Sequence, residues 1–304
     1  MQKVVITGAT SMIGVALIDE CIKNNVQVLA IVRKDSINKN RIPISPLVEV
    51  IECDLKNLKN INIDNSQEYD TFFHVAWDCT MKKYRNNLYR QLDNVYYTLD
   101  AVELAHRLQC KTFIGAGSQA EYGRVKGIIY PESPVNPETA YGIAKYNAFK
   151  SSLLLCEEYG IKHIWTRIFS VYGPYDNSQT MIMYAITKLL KKEKPIFTKC
   201  EQLWDYLYSS DAGSALYLIG EKGKDKSIYC IASGIAKPLY KYIYQIRDNI
   251  DKDLSIGIGE IEYSEKQVMN LCVNIDSLVK DTGFKPKVSF KEGIELITKS
   301  LIEK

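Results

Sequence analysis

The chain has 304 residues, 46% of them apolar and 25% charged, with a net charge of +3. That length suits one large α/β domain, or a nucleotide-binding domain with a smaller lobe attached. The lysines and arginines are spread along the sequence rather than gathered on one face, which gives no case for nucleic acid, and no apolar run reaches the roughly 18 residues of a membrane helix.

Lys3-Val4-Val5-Ile6 reads as a first strand, broken by Thr7-Gly8-Ala9-Thr10-Ser11-Met12-Ile13-Gly14 and followed by an amphipathic helix from Val15. A strand, a glycine turn and a helix in that order form the opening unit of a nucleotide-binding βαβ fold. Gly8 permits the tight turn and Gly14 a close helix–strand approach, while the free N–H groups of the helix start can hold a pyrophosphate. Ser11 stands where a middle glycine is usual, and its hydroxyl is a candidate phosphate donor. The opening is too short before its first glycine to be a signal peptide, so a cytoplasmic protein is expected.

Val26 to Val32 is the second strand. An acid at its end would bind the ribose hydroxyls of NAD, but Arg33-Lys34 stand there, and their charge suits a 2′-phosphate. NADP(H) is therefore favoured, with NAD(H) kept open by Asp35. After a proline-punctuated loop over residues 37–46, Val48 to Leu55 is a third strand whose Asp54 is placed to bond the adenine amino group. A helical stretch is expected near Tyr69, then a fourth strand over Thr71 to Trp77. His74 within it reads as a packed core histidine, and small Ala76 allows close approach to a cofactor.

Lys82-Lys83-Tyr84-Arg85 reads as a mobile basic loop, followed by helical periodicity from Leu88 to Gln109 with Asn94 partly inward. Lys111 to Gly115 begins a fifth strand that ends at Ser118. In an open parallel sheet the ligand crevice lies beyond the carboxyl ends of the strands, which puts Ser118 where chemistry occurs. Tyr141-Gly142-Ile143-Ala144-Lys145 reads as helix, so Tyr141 and Lys145 share a face, and the Lys145 ammonium is expected to lower the Tyr141 phenol pKa. Such a tyrosine can protonate an oxyanion as hydride arrives on the adjacent carbon.

Helices are expected over Thr180 to Lys194, Asp211 to Ile219 and Leu239 to Ile250, with a strand over Ser227 to Ala232. Lys191, Lys192 and Lys194 form a basic helix end that either attracts a diphosphate or complements the helix dipole. The eight cysteines are scattered singly, as small buried thiols are, and offer no metal site. The domain reading is a dinucleotide-binding domain over 1–170 and a smaller lobe over 171–304, interleaved with strands and helices of the first.

These segments, taken together, resemble the extended short-chain dehydrogenase/reductases that act on nucleotide sugars. The matching runs are Thr7-Gly8-Ala9-Thr10 to Gly14, Cys53-Asp54-Leu55, His74-Val75-Ala76, Asn94-Val95, Ser118 with Tyr122-Gly123, Tyr141 to Lys145, and Thr166-Arg167-Ile168 with Val171-Tyr172-Gly173-Pro174. Trp204 to Asp211, Phe284-Lys285-Pro286 and Gly293 resemble the family's later segments. The resemblance implies an α/β Rossmann fold, a doubly wound parallel sheet with a smaller C-terminal substrate-binding lobe. It implies that Ser118 bonds the reacting oxygen, Tyr141 exchanges its proton, and Lys145 holds the nicotinamide ribose. It also implies a homodimer packing the helices that carry Asn94 and Tyr141. The cofactor set is Gly8, Thr10, Ser11, Met12, Ile13, Gly14, Arg33, Asp54, Leu55, Ala76, Tyr141 and Lys145; Ser118, Gln119, Ser170 and Trp204 are the substrate set.

Departures narrow the reaction. Dehydratases of this group carry acids directly after the serine or threonine, where Gln119 and Ala120 stand here. Ser170 replaces a frequent asparagine and Trp204 a usual arginine, so Trp204 either stacks on a base or packs in the core. The expected activity is NADPH-dependent reduction of a 4-keto(-6-deoxy) sugar nucleotide, with an NAD-dependent 4-epimerase as the alternative and a non-catalytic cofactor-sensing protein as a minor one.

Overall fold

A computed structural model of the chain describes residues 1–63 and 68–303. In chain order its main elements are β1 (Lys3–Thr7), α1 (Met12–Lys23), β2 (Gln27–Val32), β3 (Val48–Glu52), β4 (Thr71–His74), α2 (Leu88–Arg107) and β5 (Thr112–Ser118). Next come β6 (Ile128–Ile129), α3 (Ala140–Tyr159), β7 (Lys162–Ile168), β8 (Ser170–Tyr172), α4 (Met181–Leu190), β9 (Ile196–Phe197) and β10 (Leu203–Tyr208). The chain closes with α5 (Ser209–Lys222), β11 (Ile228–Ile231), β12 (Ala236–Pro238), α6 (Leu239–Ile250), β13 (Gly257–Ile258), β14 (Cys272–Val273), α7 (Asp276–Thr282) and α8 (Phe290–Ile302).

Seven strands form one parallel sheet in the order β11-β7-β5-β4-β1-β2-β3. The chain order reverses between β1 and β4, so their carboxyl ends leave a crevice open to ligand. β1 shows why both faces must be covered. Val4 and Ile6 point to one side and pack with Leu17 and Ile18 of α1 and with Ala215 and Leu216 of α5. Val5 points to the other, among Val102 and Ala105 of α2. Strands buried on both faces read as unbroken apolar runs, which is how β1 and β2 look in the sequence.

Helix boundaries follow local chemistry. Ser11, Asn87, Thr139, Thr180 and Ser289 each cap a helix start by accepting from the backbone N–H three residues on, as short oxygen-bearing side chains do. α3 ends at Gly160 in the left-handed region, φ 66°, a conformation glycine adopts without cost.

A third apolar cluster lies apart from the sheet. It joins α4, α6 and α8 around Ile186, Leu189, Ile243, Ile246 and Ile294, with Tyr172 and Tyr208 beneath. Two buried carboxylates fasten this region. Asp205 accepts from the Ser233 N–H and hydroxyl and from the Gly234 N–H at 2.7 to 2.9 Å, and burial pushes it up to about 6 against those bonds. Asp211 accepts from the N–H groups of Lys287 and Val288, each at 3.0 Å, tying α5 to the C-terminal segment.

Some expectations shift. β3 stops at Glu52 and β4 at His74, so Asp54 and Ala76 lie just beyond their strands, inside the crevice. The helical stretch near Tyr69 is absent from residues 68–70; a 3-10 helix at Leu55–Asn60 precedes it, and residues 64–67 lie outside the described residues. Lys82–Tyr84 form a 3-10 turn rather than an irregular loop, and the side chain of Lys82 also lies outside the described residues.

Candidate active site

A cavity of about 560 Å³ occupies the crevice. Gly8, directly after β1, has φ +71°, and a Cβ there would lie 2.7 Å from the Ala76 nitrogen. A Cβ on Gly14 would meet the Gly8 carbonyl oxygen at 2.3 Å. These two glycines let the turn, the start of α1 and the end of β4 converge without side chains between them. Ser11 caps α1 through its Oγ, which accepts from the Gly14 N–H at 3.0 Å. The hydroxyl expected to serve a phosphate is thus first a helix cap, with its own O–H still available to donate.

Of the expected cofactor contacts, Gly8, Thr10, Ser11, Arg33, Asp54, Leu55 and Ala76 line the cavity. Met12, Ile13 and Gly14 form the first turn of α1 beside it. Lys34 is not on the wall; its N–H donates to Asp54 Oδ1 at 3.2 Å, so that oxygen has a partner before any adenine arrives. A left-handed glycine turn, an uncluttered helix N-terminus and a cavity of this volume fit a dinucleotide.

The expected proton centre stands at the end of β5. Ser118 is 6% exposed; its Oγ accepts from the Ala120 N–H at 3.2 Å, and the hydroxyl stands close enough to the Tyr141 phenol to favour its charged form. Lys145 is 3% exposed, donates to the Ala116 carbonyl and holds its Nζ 3.7 Å from the centroid of the Trp77 ring. The structure therefore gathers Ser118, Tyr141 and Lys145. Trp77 lines the cavity and meets Tyr141 edge-on at 5.9 Å, so the cavity adjoins the expected proton centre.

The electrostatics differ from the sequence expectation. Lys145 Nζ lies 5.9 Å from the Tyr141 ring and is turned toward Ala116 and Trp77. Burial pushes the Tyr141 phenol up; the nearby Ser118 hydroxyl and the Arg85 guanidinium, 4.4 Å from the ring, pull the other way. The same burial brings Lys145 down to about 7, with buried Glu121 supporting its charge and Arg85 opposing it. At neutral pH Tyr141 is a protonated phenol, able to act as a donor.

Behind Ser118 lies a buried ion pair that sequence reading missed. Glu121 is 0% and Arg167 2% exposed, with Arg167 Nε donating to Glu121 Oε2 at 2.8 Å. Glu121 Oε1 accepts from the Ser118 N–H at 2.8 Å, and Trp165 Nε1 also donates to this carboxylate. Ser118 and Glu121 make a capping box, a spacing visible in the sequence. No local spacing announces Arg167, Trp77 or Arg85.

Elsewhere, His74 is a core histidine. Its Nδ1 lies 2.9 Å from Thr7 Oγ1, and burial pushes it down to about 3. Asn94 is buried and bonds the backbone N–H and carbonyl of Asp78, while Gln91 takes the Trp77 indole N–H at 2.9 Å. Gln119 keeps a buried Oε1 with no protein partner. Ser170 and Trp204 fall on β8 and β10 of the small three-stranded sheet, and Trp204 packs against two apolar clusters. Lys194 is paired with Glu260 at 2.5 Å. All eight cysteines are free. Among the described residues no cluster of His, Cys, Asp and Glu could hold a metal, and no helix is long and apolar enough to cross a membrane.

Comparison with known proteins bears on this geometry. Residues 4–232 match the NAD dependent epimerase/dehydratase family. A Methanocaldococcus jannaschii protein provisionally named a UDP-glucose 4-epimerase is 26% identical, over 97% of this chain and 96% of that one. The dTDP-4-dehydro-6-deoxyglucose reductase of Escherichia coli is 24% identical, over 98% of this chain and 97% of its own length. UDP-N-acetylglucosamine 4-epimerase from Methanobrevibacter ruminantium, solved in complex with UDP-N-acetylmuramic acid, shares the fold with a TM-score of 0.88 at 21% identity, covering 99% of this chain and 98% of that chain. Other solved structures of similar fold contain NAD.

Proposed function

This chain belongs to the NAD dependent epimerase/dehydratase family, the extended short-chain dehydrogenase/reductases, and on that premise we propose that it reduces a 4-keto(-6-deoxy) sugar nucleotide with NADPH. The observation that carries the reading is a Tyr141 phenol kept protonated by burial, next to the Ser118 hydroxyl and with no free acid beside it. Gln119 and Ala120 follow Ser118, and the Glu121 carboxylate is held by Arg167, Trp165 and the Ser118 N–H. Elimination of water needs an acid or base at that place; delivery of a proton to a forming alkoxide does not.

A reduced nicotinamide supplies the hydride when bound. Ser118 donates its O–H to the keto oxygen, and Tyr141 gives up its phenol proton as negative charge develops there. Lys145 holds positive charge beneath the site, and Trp77 closes it from water. The orphaned Gln119 Oε1 takes a sugar hydroxyl. Ser170 and Trp204 contribute to the substrate side, and the region of α4, α6 and α8 forms the substrate lobe.

Arg33 on the cavity wall supports NADP(H). The 4-epimerase alternative, which uses the same three residues with bound NAD, draws support from the names and ligands of similar proteins. Purified protein with NADPH and a 4-keto-6-deoxy sugar nucleotide is expected to consume NADPH in proportion to substrate. Tightly held NAD with no net oxidation would favour the epimerase instead.

The pH profile has a definite sign. A lysine lowered to about 7 carries its charge below that value and loses it above. The reductive kcat/KM is therefore expected to fall by about tenfold per pH unit above roughly 7 if the ammonium is required; a flat profile to pH 9 would remove Lys145 from the mechanism. The protein is assigned to the cytoplasm as a homodimer. α2 exposes Tyr89 (86%) and Tyr96 (68%), and α3 exposes Leu154 (66%), an apolar surface suited to a second copy.

A further inference from the structure

The basic segment between β4 and α2 sends its last residue into the proton centre. The Arg85 guanidinium lies 4.4 Å from the centroid of the Tyr141 ring. Its backbone meets the same residue: the Arg85 carbonyl accepts from the Tyr141 N–H at 3.0 Å, and the neighbouring Asn86 Oδ1 accepts from the Ala140 N–H at 3.3 Å. Those N–H groups belong to the first turn of α3, where a helix has no partners of its own to offer. Arg85 thus holds Tyr141 twice, by its carbonyl on the backbone and by its guanidinium on the ring.

Gln91, 0% exposed, fixes the segment from α2. Its amide nitrogen donates to the carbonyls of Cys79 and Tyr84 at 3.0 and 3.2 Å, and its oxygen takes the Trp77 indole N–H. One buried glutamine therefore ties together the two side chains that flank the Tyr141 ring, Trp77 at its edge and Arg85 over it. Lys83 is engaged elsewhere, its Nζ 4.6 Å from the Tyr84 ring centroid. Among the described residues no carboxylate pairs with Arg85, so its charge is not cancelled locally.

The other groups around the phenol are less suited to steady a negative charge on it. Ser118, at the end of β5, is neutral, and Glu121 in the following turn is negative and held by Arg167. Lys145, one turn along α3, has its Nζ 5.9 Å from the ring centroid and gives its proton to the Ala116 carbonyl. Burial brings that lysine down to about 7, whereas a guanidinium stays charged at every working pH.

We propose that Arg85 is a positioning residue of the proton step: laid on the Tyr141 ring and tied to the start of α3, it orients the phenol and steadies the charge left on it when its proton goes to the substrate. The inference rests on the reductase reading, in which Tyr141 is the donor. As hydride reaches the keto carbon, the Tyr141 O–H bond breaks and a new O–H bond forms on the substrate oxygen, leaving a phenolate that solvent reprotonates afterwards. A fixed cation on the ring face lowers the energy of that phenolate more than that of the phenol.

Steady-state kinetics on the full-length protein in both directions test this. With NADPH and a 4-keto-6-deoxy sugar nucleotide, Arg85→Met is expected to lower kcat by roughly 10- to 100-fold and to leave KM within about twofold of the parent value. In reverse, with NADP⁺ and the 4-hydroxy product, Tyr141 must take a proton, so the rate rises with pH; Arg85→Met is expected to move that rise upward by about one pH unit. Arg85→Lys, which keeps the charge and loses the plane, is expected to recover part of both. NADP⁺ affinity close to that of the parent shows that the variants are folded. A raised KM with kcat intact would make Arg85 a substrate contact and overturn the proposal. Parental kinetics in Arg85→Met, loss of its NADP⁺ binding, or a lower kcat with the pH profile unmoved and nothing recovered by lysine would also overturn it. Each of those results leaves the reductase reading standing, whereas a parent protein that oxidises no NADPH with this substrate would overturn both.

Discussion

Tyr141→Phe is expected to lower turnover by about 10²- to 10⁴-fold, the range for a lost general acid, while dinucleotide binding stays close to that of the parent protein. The substitution removes one hydroxyl and keeps the ring. That ring is held between Arg85 at 4.4 Å and Trp77 edge-on at 5.9 Å, so the packing survives and the loss reports on chemistry. The raised phenol favours the protonated state before substrate binds. Rapid mixing with reduced cofactor would separate hydride transfer from binding; undiminished turnover would remove Tyr141 from the proton path.

Arg167→Met is expected to be among the most destabilising single substitutions in the chain, costing about 3 to 5 kcal/mol in urea unfolding. It leaves Glu121 charged, fully buried and without its counter-ion. The size comes from desolvation rather than from a strong net bond, because two paired ions in the interior gain little over two apolar groups of the same shape. The double variant Glu121→Gln with Arg167→Met is therefore expected to recover much of the loss. If the double variant were no more stable than Arg167→Met, the penalty would lie in lost packing of the arginine against Tyr122, 4.3 Å from its ring. The Ser118 N–H bonds Glu121 Oε1, so under the role proposed for Ser118 a partial fall in kcat is expected with it.

What could be read in advance depended on sequence distance. Gly8 and Gly14 were legible because only glycine satisfies a left-handed turn and a backbone approach of this closeness. Tyr141 and Lys145 were legible as a pair on one helix face, and the structure sets the Tyr141 phenol near Ser118 with Lys145 Nζ 5.9 Å from the Tyr141 ring. The direction of the lysine was not legible: it depends on the Ala116 carbonyl and the Trp77 ring, supplied by two other segments. Glu121 with Arg167, and Arg85 with Tyr141, join positions that share no local period, so no spacing rule connects them. The acids Asp205 and Asp211 matched a motif by order, and folding revealed their work as acceptors for distant backbone N–H groups.

The position of β11 has a consequence for how the chain can be cut and made. β11 pairs with β7 from Ile228↔Trp165 to Ile231↔Ile168, and α5 covers the sheet face that α1 shares. During synthesis, β7 therefore remains an open edge until residues beyond 231 have left the ribosome, and an open edge is a template for association with other chains. A fragment ending near residue 170 would carry both glycines of the β1–α1 turn and Ser118, Tyr141 and Lys145, yet would lack the strand and the helix that close its sheet.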